Sequence, residues 1–206
     1  MDEIFDKSIL TEHDLYDYLL NLYFNIKNGY LEACVHRAYL DFSRTLHGIR
    51  NHPEKEILFK LAKNKVIETI TKTKNIKFKN QSNFDNFHKK SLLEIRKIYR
   101  DNNFNGFYIG HSQKWINMTL KYVFTMKEKR IPGYKHIYQY SHVPIDNIIK
   151  KKLKQYGFKG LKKRTWSRID DYQEYFEIQQ WIRKRFPKYL PMDVEFKLWN
   201  GENIIL

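Results

Sequence analysis

Two stretches carry residue types that could do covalent chemistry. "QKWINMTL" holds Lys114 and Asn117, a lysine and an asparagine three residues apart in otherwise apolar company. "HVPIDNII" holds Asp146, two residues after Pro144. A primary amine attacks only in its neutral form, which burial or a positive local potential favours. The spacing predicts Lys114 in the first turn of a helix, where unpaired N–H groups and the positive dipole end disfavour a cation. Asn117 falls on the same face one turn on. Ile116, Leu120, Val123, Phe124 and the stem of Lys127 form the opposite face and are expected to pack inward. Asp146 is predicted in the first turn of its own helix, where a carboxylate is stabilised in its ionised form. Taken singly, each residue also fits an ordinary role, a surface lysine and a good first-turn acid.

The elements that must position these residues read as helices. A first begins at Thr11, where "TEHD" offers an N-cap and first-turn acids, and stops at Asn28-Gly29. A second runs from about Leu31 to Ile49, with Val35, Tyr39, Phe42 and Leu46 on its buried face. Pro53 starts a third, to about Thr71, and Ser82 caps a fourth through "FDNFHKKSLLEIRKIYR". "NIKFKN" between them reads as a short strand or a basic loop, and "DNNFNGFYIG" as a turn-rich connector. The Lys114 helix extends to about Lys127, followed by a loop, "KRIPGYKHIYQYSH". "VPIDNIIKKKLKQYG" is a helix with Pro144 in its first turn and Gly157 at its end. "IDDYQEYFEIQQWIRKRF" and "PMDVEFKLWN" give two more, closed by Pro187 and Gly201. The expected fold is all-α, one domain of about eight helices.

Charge narrows the class of partner. The 206 residues carry a net charge of +15, and the excess is uneven. Between Lys60 and Arg164 lie 26 Lys+Arg against 6 Asp+Glu, while the flanks together carry 12 against 17. Such asymmetry favours a polyanion, nucleic acid first. No run of about 18 apolar residues exists to span a membrane. "MDEIFDKSIL" lacks the basic and apolar regions of a secretory signal, so a cytoplasmic protein is expected. The single cysteine, Cys34, allows no internal disulfide and reads as a small buried residue. His36, His47, His52, His136 and His142 show no ligand-pair spacing, so no zinc is expected.

Taken together, "QKWINMTL" and "HVPIDNII" resemble the helix-hairpin-helix DNA glycosylase superfamily. The matching residues are Lys114, Asn117 and Leu120, then Val143, Pro144, Ile145 and Asp146. The interval of 32 residues from Lys114 to Asp146, with Gln113 before the lysine, is most similar to the archaeal 8-oxoguanine glycosylases. The resemblance covers about Gly106 to Tyr156. It departs from the pattern in its glycines, Gly106 and Gly110, which replace a "L-P-G-V-G" turn directly before the lysine, and in Trp115, where a small residue is usual. It implies a two-lobed all-α glycosylase domain with a hairpin element at about 104–156. Lys114 would attack C1′ of the deoxyribose and form a Schiff base. Asp146 would take the lysine's proton or stabilise the oxocarbenium-like sugar. The target base would be flipped out of double-stranded DNA. A lyase step at the abasic site could follow. The implied substrate is 8-oxoguanine in repair, or a phage's hypermodified base in defence. No cofactor is implied beyond a monovalent cation on the hairpin carbonyls, and a monomer is expected.

On this reading Gln113, Trp115, Asn117, Met118 and Trp166 line the base pocket. Phe107, Tyr108, Trp181 and Trp199 are further stacking candidates. Gly106, Gly110 and His111 would meet phosphate at the helix start. Lys150, Lys151, Lys152, Lys154, Lys159, Lys162, Lys163 and Arg164 put eight basic residues in fifteen positions, suited to phosphate contacts. The alternative is a non-catalytic nucleic-acid-binding module. A HEPN-type ribonuclease needs an arginine and a histidine at set spacing on one helix. Arg44 with His47 or His52 misses the spacing, and Arg130 with His136 is broken by Pro132 and Gly133.

Overall fold

Among the described residues, 9–160 and 165–205 of a computed structural model, eight α-helices and no strands form one all-α domain. The helices are α1 (Glu12–Phe24), α2 (Tyr30–Ser43), α3 (Lys55–Asn75), α4 (Gln81–Asp101), α5 (Ile109–Arg130), α6 (Asn147–Gln155), α7 (Tyr172–Arg185) and α8 (Pro191–Trp199). Three short 3-10 turns lie at Ile49–Asn51, Lys135–Tyr140 and Trp166–Arg168.

Local chemistry explains most boundaries. Thr11 caps α1 through a reciprocal box with Asp14. That helix ends early, at Asn25 in the left-handed region, rather than at Asn28-Gly29. Gly29, at φ +103°, instead turns the chain into α2. The second helix stops at Ser43, six residues short of Ile49; the Thr45 and Leu46 N–H groups turn back onto the Phe42 and Ser43 carbonyls, and the chain then turns through Gly48 at φ +89°. Asn80, not Ser82, caps α4. In "NIKFKN" Asn75 closes α3 and the rest is a loop whose last two residues bend into that cap. Pro144 lies outside α6, in an extended segment from Ser141 to Asp146. The helix it was expected to open starts at Asn147, with Asp146 as its N-cap.

The centre of the molecule is α5. Every residue from Ile109 to Val123 is buried, so the helix is not amphipathic but enclosed on all sides. It packs on α2, α3, α4 and α7 and on the turns at Lys135–Tyr140 and Trp166–Arg168. Regular helix lasts to Met126, and one more turn follows a kink at Lys127, at φ +62°. Trp115 is a core residue. It is fully buried, its indole N–H donates to the Val35 carbonyl at 2.9 Å, and its ring packs on Tyr39, Phe42 and Phe59. That burial contributes about 1.5–3 kcal/mol as transfer free energy alone, and it excludes Trp115 from a base pocket.

Candidate active site

A helix enclosed in this way needs partners for the polar groups it carries, and all but Ser112 Oγ and His111 Nε2 of its buried side-chain polar atoms have them. Its buried polar residues include Gln113, Lys114, Asn117, Thr119 and Lys121. Lys114 sits on the sixth residue of α5, a turn further in than the spacing predicted, beyond the exposed N–H groups of the helix start. Its surroundings therefore come from burial and from Asp146 rather than from the dipole. The lysine side chain is 4% exposed, and its Nζ donates to Asp146 Oδ2 at 2.7 Å. The other carboxylate oxygen, Oδ1, accepts from the Ile149 N–H at 2.9 Å. One carboxylate thus caps α6 and meets the lysine of α5. The Asp146 side chain remains 13% exposed, more open than the lysine it meets.

A second buried pair lies two turns along the same helix face. Lys121 Nζ donates to Glu195 Oε1 of α8 at 2.7 Å and also sits over the rings of Phe196 and Trp199. Burial pushes the Glu195 carboxyl up, against the pull of Lys121. Burial likewise pushes the Lys121 amine down, against Glu195. The two pairs act on each other, since Lys114 and Asp146 both bear on the ionisation of Lys121 and Glu195. Asp41 of α2 faces the same charges; burial raises its carboxyl, opposed by the Tyr122 hydroxyl at 2.5 Å and by Arg37. Lys121 and Glu195 were missed in the sequence. The one signal was Lys121 itself, seven residues from Lys114 on a helix with too many polar residues for its apolar company.

The remaining predicted residues divide sharply. Met118, 5% exposed, lies between Lys114 and Lys121 on their face. Gln113 does not open to a pocket: it is fully buried, with both ends of its carboxamide on the Ile145 backbone. Asn117 is fully buried too, joined to Gln113, Tyr175 and His88. Trp166 is 5% exposed and packs on His111. The helix start is likewise closed. Gly110 donates its N–H to the Ile169 carbonyl at 2.8 Å, and a Cβ there would lie 2.1 Å from the Trp166 carbonyl. Gly110 is therefore the seat of the Trp166 turn, not a phosphate contact. His111 is 1% exposed, with Nδ1 accepting from the Tyr108 N–H, and is equally withdrawn from phosphate. Gly106 is half-buried, beside the ring of Phe104.

Of the stacking candidates, Phe107 is fully buried, Tyr108 and Trp181 are half-buried, and Trp199, at 47%, is exposed. The lysines of α6 lie on the helix that Asp146 caps. Lys151, Lys154 and Lys159 are exposed, and Lys150 and Lys152 are half-buried. Lys162, Lys163 and Arg164 lie outside the described residues. Arg130 ends α5 against Asp17, whereas His136 sits in the following 3-10 turn against carbonyls of α3 and its C-cap, so they share no helix.

The connector of residues 102–108 directs two carbonyls at the protein's own donors. Asn102 O accepts from His52 Nε2 at 3.1 Å, and Tyr108 O accepts from the N–H groups of His111 and Ser112. Carbonyls turned to the protein's own donors do not fit a cation cradle. Among the described residues no group of three or more His, Cys, Asp or Glu side chains could hold a metal ion. No helix among them is long and apolar enough to cross a membrane. Set against family models, curated proteins and solved structures, the chain matches none.

Proposed function

We propose that the chain is a DNA glycosylase with abasic-site lyase activity, and that Lys114 and Asp146 are its reacting pair. The observation that carries this reading is the contact itself: a buried primary amine 2.7 Å from a carboxylate held at a helix N-cap. A proton acceptor already within hydrogen-bond reach of the amine is what a lysine nucleophile needs. The flipped nucleotide presents C1′ to Lys114. As the amine bonds to C1′, the glycosidic bond breaks and its electrons leave with the base. Asp146 takes the proton that frees the amine for this attack, the departing base carries off a second, and ring opening, with the Asp146 proton passed to O4′, leaves a protonated Schiff base on the sugar. Loss of a C2′ proton then expels the 3′ phosphate and cuts the strand. Lys151, Lys154 and Lys159 supply phosphate contacts beside the pair. Trp199, exposed next to Lys121, is the best placed of the aromatics to stack on an extruded base. The substrate is a modified base in duplex DNA, 8-oxoguanine or a bulkier hypermodified base.

The test is borohydride trapping on duplexes that each carry one modified base. A covalent adduct is expected with the wild type and with Lys90→Ala, whose side chain is 79% exposed on α4. It is expected to vanish in Lys114→Ala. The low exposure of Lys114 supports a second reading, a purely structural ion pair in a nucleic-acid-binding module. That reading wins if DNA affinity survives Lys114→Ala and neither an adduct nor an abasic site forms on any duplex.

A further inference from the structure

We propose that Gln179, together with Gln113, is a positioning residue for Asp146. The two carboxamides act as rungs that hold residues 143–146 extended and so present the carboxylate to Lys114. This rests on the reading of Lys114 and Asp146 as the reacting pair.

An extended segment buried among helices has backbone groups that need partners, and no strand among the described residues supplies them. Two glutamine side chains do. The Val143 N–H donates to Gln179 Oε1 at 3.0 Å, and Gln179 Nε2 donates back to the Val143 carbonyl at 2.8 Å. The Ile145 N–H donates to Gln113 Oε1 at 3.0 Å, and Gln113 Nε2 donates back to the Ile145 carbonyl at 2.8 Å. Each glutamine therefore exchanges both bonds with one residue, as paired residues do in an antiparallel ladder. Residues 143 and 145 are alternate positions, the ones a strand turns toward one edge.

Between the rungs sits Pro144. Its ring fixes its own φ and holds Val143 in extended backbone. With 143 and 145 pinned and the residue between them stiff, little freedom remains in the direction of Asp146. Gln113 also directly precedes Lys114, so one side chain joins both halves of the pair. Asn117 braces it, donating to Gln113 Oε1 at 3.2 Å and to the Tyr175 hydroxyl at 2.9 Å. Gln179 is the more informative rung. It belongs to α7, is 1% exposed, and makes its hydrogen bonds to Val143 alone. It reaches Asp146 only through the segment.

The test is Gln179→Met, of similar volume without the bonds, in the full chain. Its trapping rate on a duplex with one pre-formed abasic site should fall about ten- to a hundredfold, the cost of a small misplacement. DNA affinity should stay unchanged. In an Asp146→Asn background the same change should cost nothing further, because its target is gone. Amide exchange at Val143 should accelerate, and the stability coupling between Lys114 and Asp146 should weaken. Gln179→Asn, which cannot reach, should behave alike and serves if the methionine variant folds poorly. A wild-type trapping rate, or an equal loss in both backgrounds, overturns the proposal. If the wild type traps nothing but Gln179→Met still weakens the coupling, the glycosylase reading fails and the rungs stand. If coupling and exchange are both unchanged, the rungs fail.

Discussion

Asp146→Asn should cost this protein much of its stability, by a mechanism that separates charge from capping. Asparagine keeps an oxygen for the Ile149 N–H, so the cap of α6 survives and only the charge is lost. What remains is an ammonium on a side chain that is 4% exposed. At 2.7 Å the gross attraction is roughly 6 kcal/mol for an effective dielectric constant of about 20. Desolvation of both ions offsets most of that, so the pair as a unit is worth little. Removing one partner is different, because an uncompensated charge stays behind, at about 3–5 kcal/mol. For a chain of this size that is a drop in Tm of roughly 6–20 °C. Lys114→Met should cost less, about 1–3 kcal/mol, because Asp146 keeps its backbone partner and some exposure to water. The double variant Lys114→Met/Asp146→Asn should return to within about 1 kcal/mol of the wild type. The assay is urea unfolding followed by circular dichroism on all four proteins, read as a double-mutant cycle. The expected coupling is at least about 3 kcal/mol, because the double variant recovers what the two single variants lose. Additive effects, or an Asp146→Asn protein with the wild-type midpoint, would refute a buried ion pair.

Three further outcomes follow from the same contacts. Gly110→Ala should cost about 1–3 kcal/mol by overpacking and displace the Trp166 turn, since its Cβ meets the Trp166 carbonyl; an unchanged melting curve would contradict it. Acid should weaken the fold early: burial holds His142 down to about 4, against Asp85, and His111 down to about 3. The unfolded chain binds those protons near 6.5, so this stability is whole above pH 6.5 and is lost as pH falls toward 4. His142 alone accounts for at most about 3 kcal/mol, and a urea midpoint that stays flat from pH 7 to 4 would sink the argument. Finally, Lys151→Ala/Lys154→Ala should reduce the slope of log affinity against log salt by about 2 for duplex DNA; an unchanged slope would remove α6 from the interface.

Much of this protein is local, and the local part is readable. The helices follow from period and punctuation, because a cap or a turn is decided within a few residues. Thr11 with Asp14, Gly157 after α6 and Gly201 after α8 are cases in point. The errors are local as well: Asn25 enters the left-handed region and closes α1 early, and i→i+3 turns at Thr45 and Leu46 close α2 before Gly48.

By itself the sequence determined the helices, the basic middle of the chain, and a lysine and an aspartate 32 residues apart. Tertiary structure alone decided what surrounds them. An α-helix shows its neighbours at three and four residues, but the partners of α5 come from far along the chain. Asp146 is 32 residues from Lys114, and Glu195 is 74 from Lys121. Periodicity predicted an amphipathic helix with one wet face; other helices covered that face and turned Gln113, Lys114, Asn117 and Lys121 into paired groups. The same enclosure turned Gln113 from a pocket residue into a backbone rung, Trp115 into core, and Gly110 into a seat for a turn. Whether a polar side chain meets water or another polar group depends on what packs over it, and no stretch of sequence around that residue carries this information.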